Sequence, residues 1–312
     1  MTERARALVI LNPAAAQGAA RVKYARVRAA VEAHFHLRTE ELDAHGAWQH
    51  AVREELGEGT RTFLAAGGDG TVSAVTGALV SAHGNVPLAQ IALGAVGLGS
   101  SNDFHKPARA SVAGIPLRID RRGATPRDIV RVRYQTERER RHERFFVISA
   151  SFGVTAEANA FFNRGDALLR ALKRRWTGAA IAYAALRTLC LHSAARGRVR
   201  VGGRDFAVSL ANLSIMKTPH LSGSLRYDTP VGGASGLVAV NLCETRSRAR
   251  LAQTLANLGR GRFVGQPGTR HWMAEALEVE LDDERLLELD GETVRARRAW
   301  FDLLDERIMT CS

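Results

Sequence analysis

Two kinds of hydrophobic spacing divide this chain. Nearly unbroken apolar runs at Ala7–Leu11, Thr62–Ala66 and Ile91–Val96 read as strands buried on both faces. Leu37–Leu42 is a more polar strand candidate. Between these runs, helical spacing predicts helices over Arg21–Phe35, Trp48–Leu56 and Val72–Ala82. Strand–helix alternation of this kind predicts an α/β N-terminal domain with a parallel sheet covered by helices. Ligands on such sheets bind outside the carboxyl ends of the strands. Asn12, the Gly67–Thr71 loop and the Gly97–Asp103 loop all follow strands, so they should converge on one edge.

The pattern changes near Arg127. Asp128–Tyr134 alternates, a charged run covers Thr136–Arg144, and Phe145–Ala150 is apolar again. This predicts a β-hairpin whose tip carries Arg138, Arg140, Arg141 and Arg144. Ala156–Ala195 reads as mostly helical and basic in its middle. Strands are expected at Val199–Val201, Phe206–Leu213, Leu237–Leu242, Leu277–Leu281 and Leu286–Leu289, with an amphipathic helix at Arg246–Leu258. Such a run of strands predicts a mainly antiparallel β C-terminal domain. The expected division is 1–125, 126–300, and a segment 301–312 returning to the first domain.

Charge narrows the partners. A net charge of +12 calls for a polyanion: nucleic acid, an anionic membrane or a phosphorylated ligand. Aromatic residues are only 6% of the chain, which leaves few platforms for stacking bases, so no nucleic acid is expected. Cys190, Cys243 and Cys311 are scattered and odd in number, which argues against a disulfide framework or zinc site and suits a reducing cytoplasm. The first apolar run is too short for a signal peptide. No run approaches the roughly 18 apolar residues of a membrane span. Arg164, Arg170, Lys173, Arg174 and Arg175 surround Leu168, Leu169, Leu172 and Trp176. Such a basic amphipathic helix suits an anionic membrane surface, and equally a solvated face on a core-packed helix.

The sharpest chemistry lies in Gly67-Gly68-Asp69-Gly70-Thr71, between a strand and a helix. Glycines let a ligand approach the backbone, and a helix start favours an anion. That describes a phosphate cradle. Asp69 would repel bare phosphate but suits a bridging Mg²⁺. A tight strand–helix turn with a capping Asp is the plain alternative. Asn102 and Asp103 suit a helix cap, a ligand contact, or both. Asp290-Gly291-Glu292 taken alone reads as a type I′-like hairpin turn.

Taken in order, these stretches resemble one family. Gly67–Thr71 is similar to the GGDGT signature shared by diacylglycerol kinases, sphingosine kinases, NAD kinases and phosphofructokinases. Asn12-Pro13 with Gly18, Gly99-Ser100-Ser101-Asn102-Asp103-Phe104, Asp128, Ser151-Phe152-Gly153 and Leu289-Asp290-Gly291-Glu292 resemble further elements of bacterial diacylglycerol-kinase-like lipid kinases. Gly97 stands where that family usually has Pro, Ser100 where it has Thr, Ser101 where it has Gly, and Ser149 where Asn is common. Ser100 keeps a hydroxyl for nucleotide contact. Ser235 stands where bacterial members have an Asp that helps bind a structural Mg²⁺, which speaks against that site at Ser235 and Leu237.

The resemblance implies a nucleotide-binding first domain and a lipid-substrate second domain. It implies ATP and Mg²⁺ as cofactors, with a lipid hydroxyl, diacylglycerol first, as acceptor. Asn12, Gly67, Gly68, Asp69, Gly70, Thr71, Ser100, Asn102 and Asp103 would hold the nucleotide. Asp69 would meet Mg²⁺ directly or through water, and Glu292 would be the general base. The implied setting is the cytoplasm, transiently at the inner membrane face, with a homodimer as an option. Two alternatives stay open: an NAD-kinase-like enzyme, and a non-catalytic relative that binds membrane or nucleotide. The first expects an Asn-Glu pair, whereas Asn212 is followed by Leu213.

Overall fold

The computed structural model describes residues 4–138 and 140–312, without the side chains of Arg174 and Thr177. The expectations for Glu139 in the charged run and for the Arg174 side chain therefore lie outside the described residues. The chain forms two compact units: Met1–Ile129 with Leu304–Ser312, and Val130–Leu303.

Unit 1 begins with β1 (Ala5–Leu11), α1 (Ala20–Glu32), β2 (Phe35–Glu41), α2 (Ala47–Gly57), β3 (Thr62–Gly67), α3 (Asp69–Ala82) and β4 (Ala92–Gly97). These strands lie in the order β2-β1-β3-β4, and each neighbouring pair is parallel. The rest of the sheet edge is mixed. β6 (Ile115–Arg118) runs antiparallel to β4, and β5 (Ala110–Val112) pairs with β6. At the chain's end, Met309 and Thr310 pair parallel with Ala92 and Leu93.

Every residue of β3 and β4 is buried, as helices over a parallel sheet require. Val9, Leu64 and Val96 pack with Val27 and Val31 of α1 in one core. Burying side chains of this size contributes about 1.5–3 kcal/mol each. Helix α1 stops short of Phe35, because Phe35 is a buried strand residue that opens β2. Helix α3 starts earlier than its apolar spacing indicates, so Asp69, Gly70 and Thr71 form its first turn. The chain leaves β1 for β2 on one side and returns to β3 on the other. The crevice of such a sheet opens at this reversal, between the carboxyl ends of β1 and β3.

Unit 2 takes up the chain within β7 (Thr125–Gln135) and continues through β8 (Arg141–Phe146), β9 (Ser149–Gly153) and three helices, α4 (Val154–Arg164), α5 (Ala167–Arg175) and α6 (Thr177–Leu191). Then come β10 (Ala195–Val201), β11 (Arg204–Met216), β12 (His220–Leu221), β13 (Leu225–Arg226), β14 (Val238–Glu244), α7 (Arg248–Leu258), β15 (Thr269–Ala274), β16 (Ala276–Leu289) and β17 (Glu292–Thr310). The paired strands of this unit run antiparallel. Two long strands change partner along their length. The first half of β11 pairs with β10 and the second with β9. β16 makes the same exchange. A bulge marks each change, between Leu210 and Asn212 and between Glu280 and Arg285.

The two expected strands at Leu277–Leu281 and Leu286–Leu289 are thus one bulged strand. Strands β15 and β17 were not expected at all. Their alternating faces carry charge that is neutralised across the sheet, as where Glu278 of β16 meets Arg298 of β17 and Arg200 of β10. Helices α5 and α6 pack through Leu169, Ala180 and Ala184.

Candidate active site

The site in unit 1 is three loops tied at the β1/β3 crevice. Asn12 follows β1. Its backbone N–H donates to the Ala66 carbonyl at 2.9 Å. Its side-chain Nδ2 donates to Thr71 Oγ1 at 3.1 Å, and its Oδ1 accepts the Ala14 N–H at 3.0 Å. The first turn of α3 is thereby fastened to the end of β1.

The glycines of these loops serve chain packing. A Cβ on Gly67 would lie 2.1 Å from Thr71 Oγ1, and one on Gly99 would lie 2.6 Å from Gly68 Cα. Gly68 and Gly99 therefore let two backbones touch. The sequence reading gave the Gly67–Thr71 glycines to a ligand. In the structure Gly67 makes room for Thr71 of its own turn, and Gly68 makes room for the Gly99 backbone. Gly97, a departure from the family pattern, follows the same logic: Pro116 Cγ stands 2.5 Å from where its Cβ would be.

Asp69 spans the same gap. Its Oδ2 accepts the Asp103 N–H and its Oδ1 the Phe104 N–H, each at 3.0 Å. Burial first, then the neighbouring Asp103 charge, pushes the Asp69 carboxyl up to about 6, against the pull of the two N–H groups. Asp103 is itself buried, and its Oδ1 accepts from Lys106 Nζ at 2.6 Å. Asn102 adopts a left-handed φ of 49° and bonds Gly99 twice, accepting its N–H and donating to its carbonyl, each at 3.0 Å. Its side chain does not cap the helical turn that follows. Ser100 is exposed at the loop's tip.

His105 was passed over in the sequence, one histidine among ten without metal spacing. It is 5% exposed, and its Nε2 lies 3.2 Å from the Ala95 carbonyl. Burial pushes its pKa down to about 4. The neutral ring packs under the Asp103–Phe104 segment, edge-on to Phe104.

In unit 2, Asp290 (φ 45°) and Gly291 (φ 96°) link the paired residues Leu289 and Glu292. That is a two-residue turn of the I′ kind. Asp290 is 1% exposed and accepts N–H groups from Val147, Ile148 and Ser149 at 3.0, 3.1 and 2.8 Å. The Gly291 N–H donates to Glu288 Oε1, and its carbonyl accepts from Asn159 and Asn163 of α4. Glu288 also accepts from the Ser151 hydroxyl at 2.9 Å. The Ser151–Gly153 and Asp290–Glu292 motifs thus meet. Glu292 is exposed on this braced turn, yet surrounding protein raises its carboxyl above the ordinary range through desolvation. The Asn212 side chain is occupied: its Oδ1 accepts from Thr155 at 2.7 and 3.0 Å.

Two metal positions are implied by the resemblance. Among the described residues, no cluster of three or more His, Cys, Asp or Glu assembles to hold an ion. A Mg²⁺ serving a nucleotide needs only one or two carboxylates beside phosphates and waters. Asp69 and Asp103 fit that need, since the half-buried Asp69 and the buried Asp103 carry like charges side by side and a cation relieves them. The second position, at Ser235 and Leu237, does not fit. Ser235 brings no charge, and Lys217 Nζ already donates to the Leu237 carbonyl at 2.7 Å.

Comparison with known proteins bears on the family and the fold. The model of the diacylglycerol kinase catalytic domain matches residues 6–131, and that of the YegS C-terminal NAD kinase beta sandwich-like domain matches 148–303. The Citrobacter koseri protein named Probable lipid kinase YegS-like is 41% identical over 92 residues, 29% of this chain and 26% of its own length. A Xanthomonas campestris protein of the same name is 38% identical over 105 residues, 30% of this chain and 32% of its own. The chain thus matches under a third of these relatives' length. A crystal structure of a diacylglycerol kinase from Bacillus anthracis superposes with a TM-score of 0.66 at 14% identity, covering 100% of this chain and 98% of that one; it shares the fold. With one family model covering half the chain and the other most of unit 1, the chain belongs to the diacylglycerol-kinase-like family of YegS-like lipid kinases.

Proposed function

We propose that this protein transfers the terminal phosphoryl group of ATP to a lipid hydroxyl, with diacylglycerol the first substrate to try. One observation carries the reading: at the sheet's crevice Asn12 bonds Thr71, Asp69 accepts the Asp103 N–H, and Asn102 braces Gly99, whose backbone lies against Gly68. Phosphoryl transfer needs mostly positioning and charge neutralisation. The α3 start and the Ser100 loop would hold the phosphates. A bound Mg²⁺ would neutralise their charge, and Asp69 with Asp103 would hold it. Asp69 also fixes the loop at Asp103 and Phe104. Glu292 would accept the proton of the attacking hydroxyl, and its raised pKa suits a group that takes one.

The membrane is the expected place of work. Among the described residues, four of the seven exposed large hydrophobic side chains are Leu168, Trp176, Leu186 and Leu191 of the α5–α6 stretch. Arg164, Arg170 and Arg175 are exposed alongside them. No described helix is long and apolar enough to cross a membrane, so this surface would bind rather than span.

The test incubates the protein with lipid extracts and labelled ATP, and identifies the product by mass spectrometry. A phosphorylated lipid supports the reading. Phosphorylation of NAD instead would turn it to the NAD-kinase-like alternative.

A further inference from the structure

Lys217, the residue after β11, is 1% exposed, which is unusual for a lysine. Its ammonium points at the turn that leads into β14. Nζ donates to the Leu237 carbonyl at 2.7 Å and reaches the Ser235 hydroxyl at 3.4 Å. The Ser235 hydroxyl is also within bonding distance of the Gly232 carbonyl, at 3.0 Å, and of the Leu237 carbonyl, at 3.1 Å. The backbone helps hold the lysine, since its N–H donates to the Ile148 carbonyl at 2.8 Å.

A buried charge is costly unless its hydrogen-bonding groups are met. Here carbonyl and hydroxyl oxygens of one tight turn meet it. These are the oxygens that a structural cation at Ser235 and Leu237 would use. A divalent ion there would face the ammonium's positive charge and lose the Leu237 carbonyl to it. The neutral Ser235 offers nothing to offset that repulsion.

We propose that the Lys217 ammonium is the built-in cation of this turn, and that it holds the segment 217–237 without a bound divalent metal. The segment is worth holding. It runs from β11 to β14 and carries Leu221 and Tyr227 into a core with Phe263 and Leu258. The lysine joins its two ends directly, and Lys217 and Ser235 act as a pair: the ammonium supplies the positive charge of a turn whose residue 235 brings none.

Hydrogen–deuterium exchange read on peptides covering 217–237 tests this in the full chain without nucleotide. This local readout separates the turn from any Mg²⁺ held in unit 1. In the wild type, protection should be the same in EDTA, Mg²⁺ and Ca²⁺. Loss of protection in EDTA that returns with Mg²⁺ would overturn the proposal. Lys217→Met keeps the stem and removes the charge, so protection should fall and no metal should restore it. Lys217→Met with Ser235→Asp should recover protection in Mg²⁺ and lose it in EDTA; no gain from Mg²⁺ would mean that the lysine does not stand in a cation's place. Ser235→Asp alone covers the case in which the Met variants do not fold. There the new carboxylate should pair with the ammonium and protection should stay metal-independent. A Mg²⁺ response in that variant would count against the proposal.

Discussion

Asp69 in unit 1 and Asp290 in unit 2 sit in glycine-flanked turns, and each holds a distant loop by its backbone N–H groups. Asp69 grips Asp103 and Phe104, while Asp290 grips Val147, Ile148 and Ser149. Their surroundings differ. Asp290 takes three N–H groups and opens a turn that leads to the exposed Glu292. Asp69 takes two, and desolvation, then the neighbouring charge of buried Asp103, raises its pKa. A carboxylate that only clamps backbone is best served by donors alone. One left beside a like charge costs stability, which is reasonable where a cation or substrate later relieves it. On the proposed function, this difference sets Asp290 as the structural aspartate and Asp69 as the functional one, although both lie in motifs of similar spelling.

The largest expected effect is at Glu292. Glu292→Gln keeps the size of the side chain but cannot take a proton. Turnover should fall roughly 10²–10⁴-fold, the usual worth of a positioned general base. The loss should appear in kcat more than KM, and ATP binding should be unchanged. A fully active variant, with a melt showing the fold intact, would leave the turn without a chemical role.

Asp69→Asn should come next. It keeps one acceptor and relieves the repulsion with Asp103, so the fold should persist. Turnover should drop by the ~2–4 kcal/mol typical of losing one electrostatic stabiliser. In the wild type, kcat/KM should fall as pH drops through about 6, where Asp69 takes a proton. The counterpart Asp290→Asn should chiefly lower the melting temperature, at about 1–3 kcal/mol for a buried donor left unpaired. If the two variants behave alike, in turnover or in melting, the distinction between the aspartates fails.

Acid should find unit 1 through His105. Its pKa is lowered to about 4 by burial, so the folded chain binds fewer protons there than the unfolded chain. The stability from the neutral ring is complete above the unfolded value of about 6.5 and is lost as pH falls towards 4. Denaturant melts across this window should show that slope in the wild type and a flatter one in His105→Gln. Equal slopes would mean that the ring titrates freely.

The sequence showed unit 1 well because its strands are apolar runs between helical periods, and burial on both faces leaves that trace. It showed little of β15 and β17. Their charged residues look like loop or helix surface until a partner strand supplies the opposite charge. The site was legible as residue types and not as contacts. Nothing near Asp69 in the sequence says that its partners are Asp103 and Phe104, and Gly99 gives no sign that it faces Gly68. Lys217 was the least legible, since a lysine in a polar stretch reads as solvated. Its burial depends on a turn that closes only when β11 and β14 pair.

The smallest expected effect concerns α5, where the structure changes which residues to alter. The sequence grouped Arg164, Arg170, Lys173, Arg174 and Arg175 as one basic set. Lys173 is instead occupied: its Nζ donates to the Phe162 carbonyl and lies 3.9 Å from the centre of that ring. Removing it would disturb the α4–α5 contact and confuse a binding measurement. Arg170 and Arg175 are exposed and, among the described residues, make no ion pair, so they are the cleaner choice. Arg170→Gln with Arg175→Gln should weaken binding to anionic vesicles by about 1 kcal/mol per residue. The wild-type binding should itself weaken as salt rises. Trp176, 67% exposed, gives a second readout through its fluorescence, which should shift to the blue on vesicles. Unchanged vesicle binding in the double variant, together with a silent Trp176, would make α5 an ordinary solvated helix. The turnover on lipid dispersed in detergent should be the same for variant and wild type, because neither arginine is among the residues proposed to hold the nucleotide or take the proton.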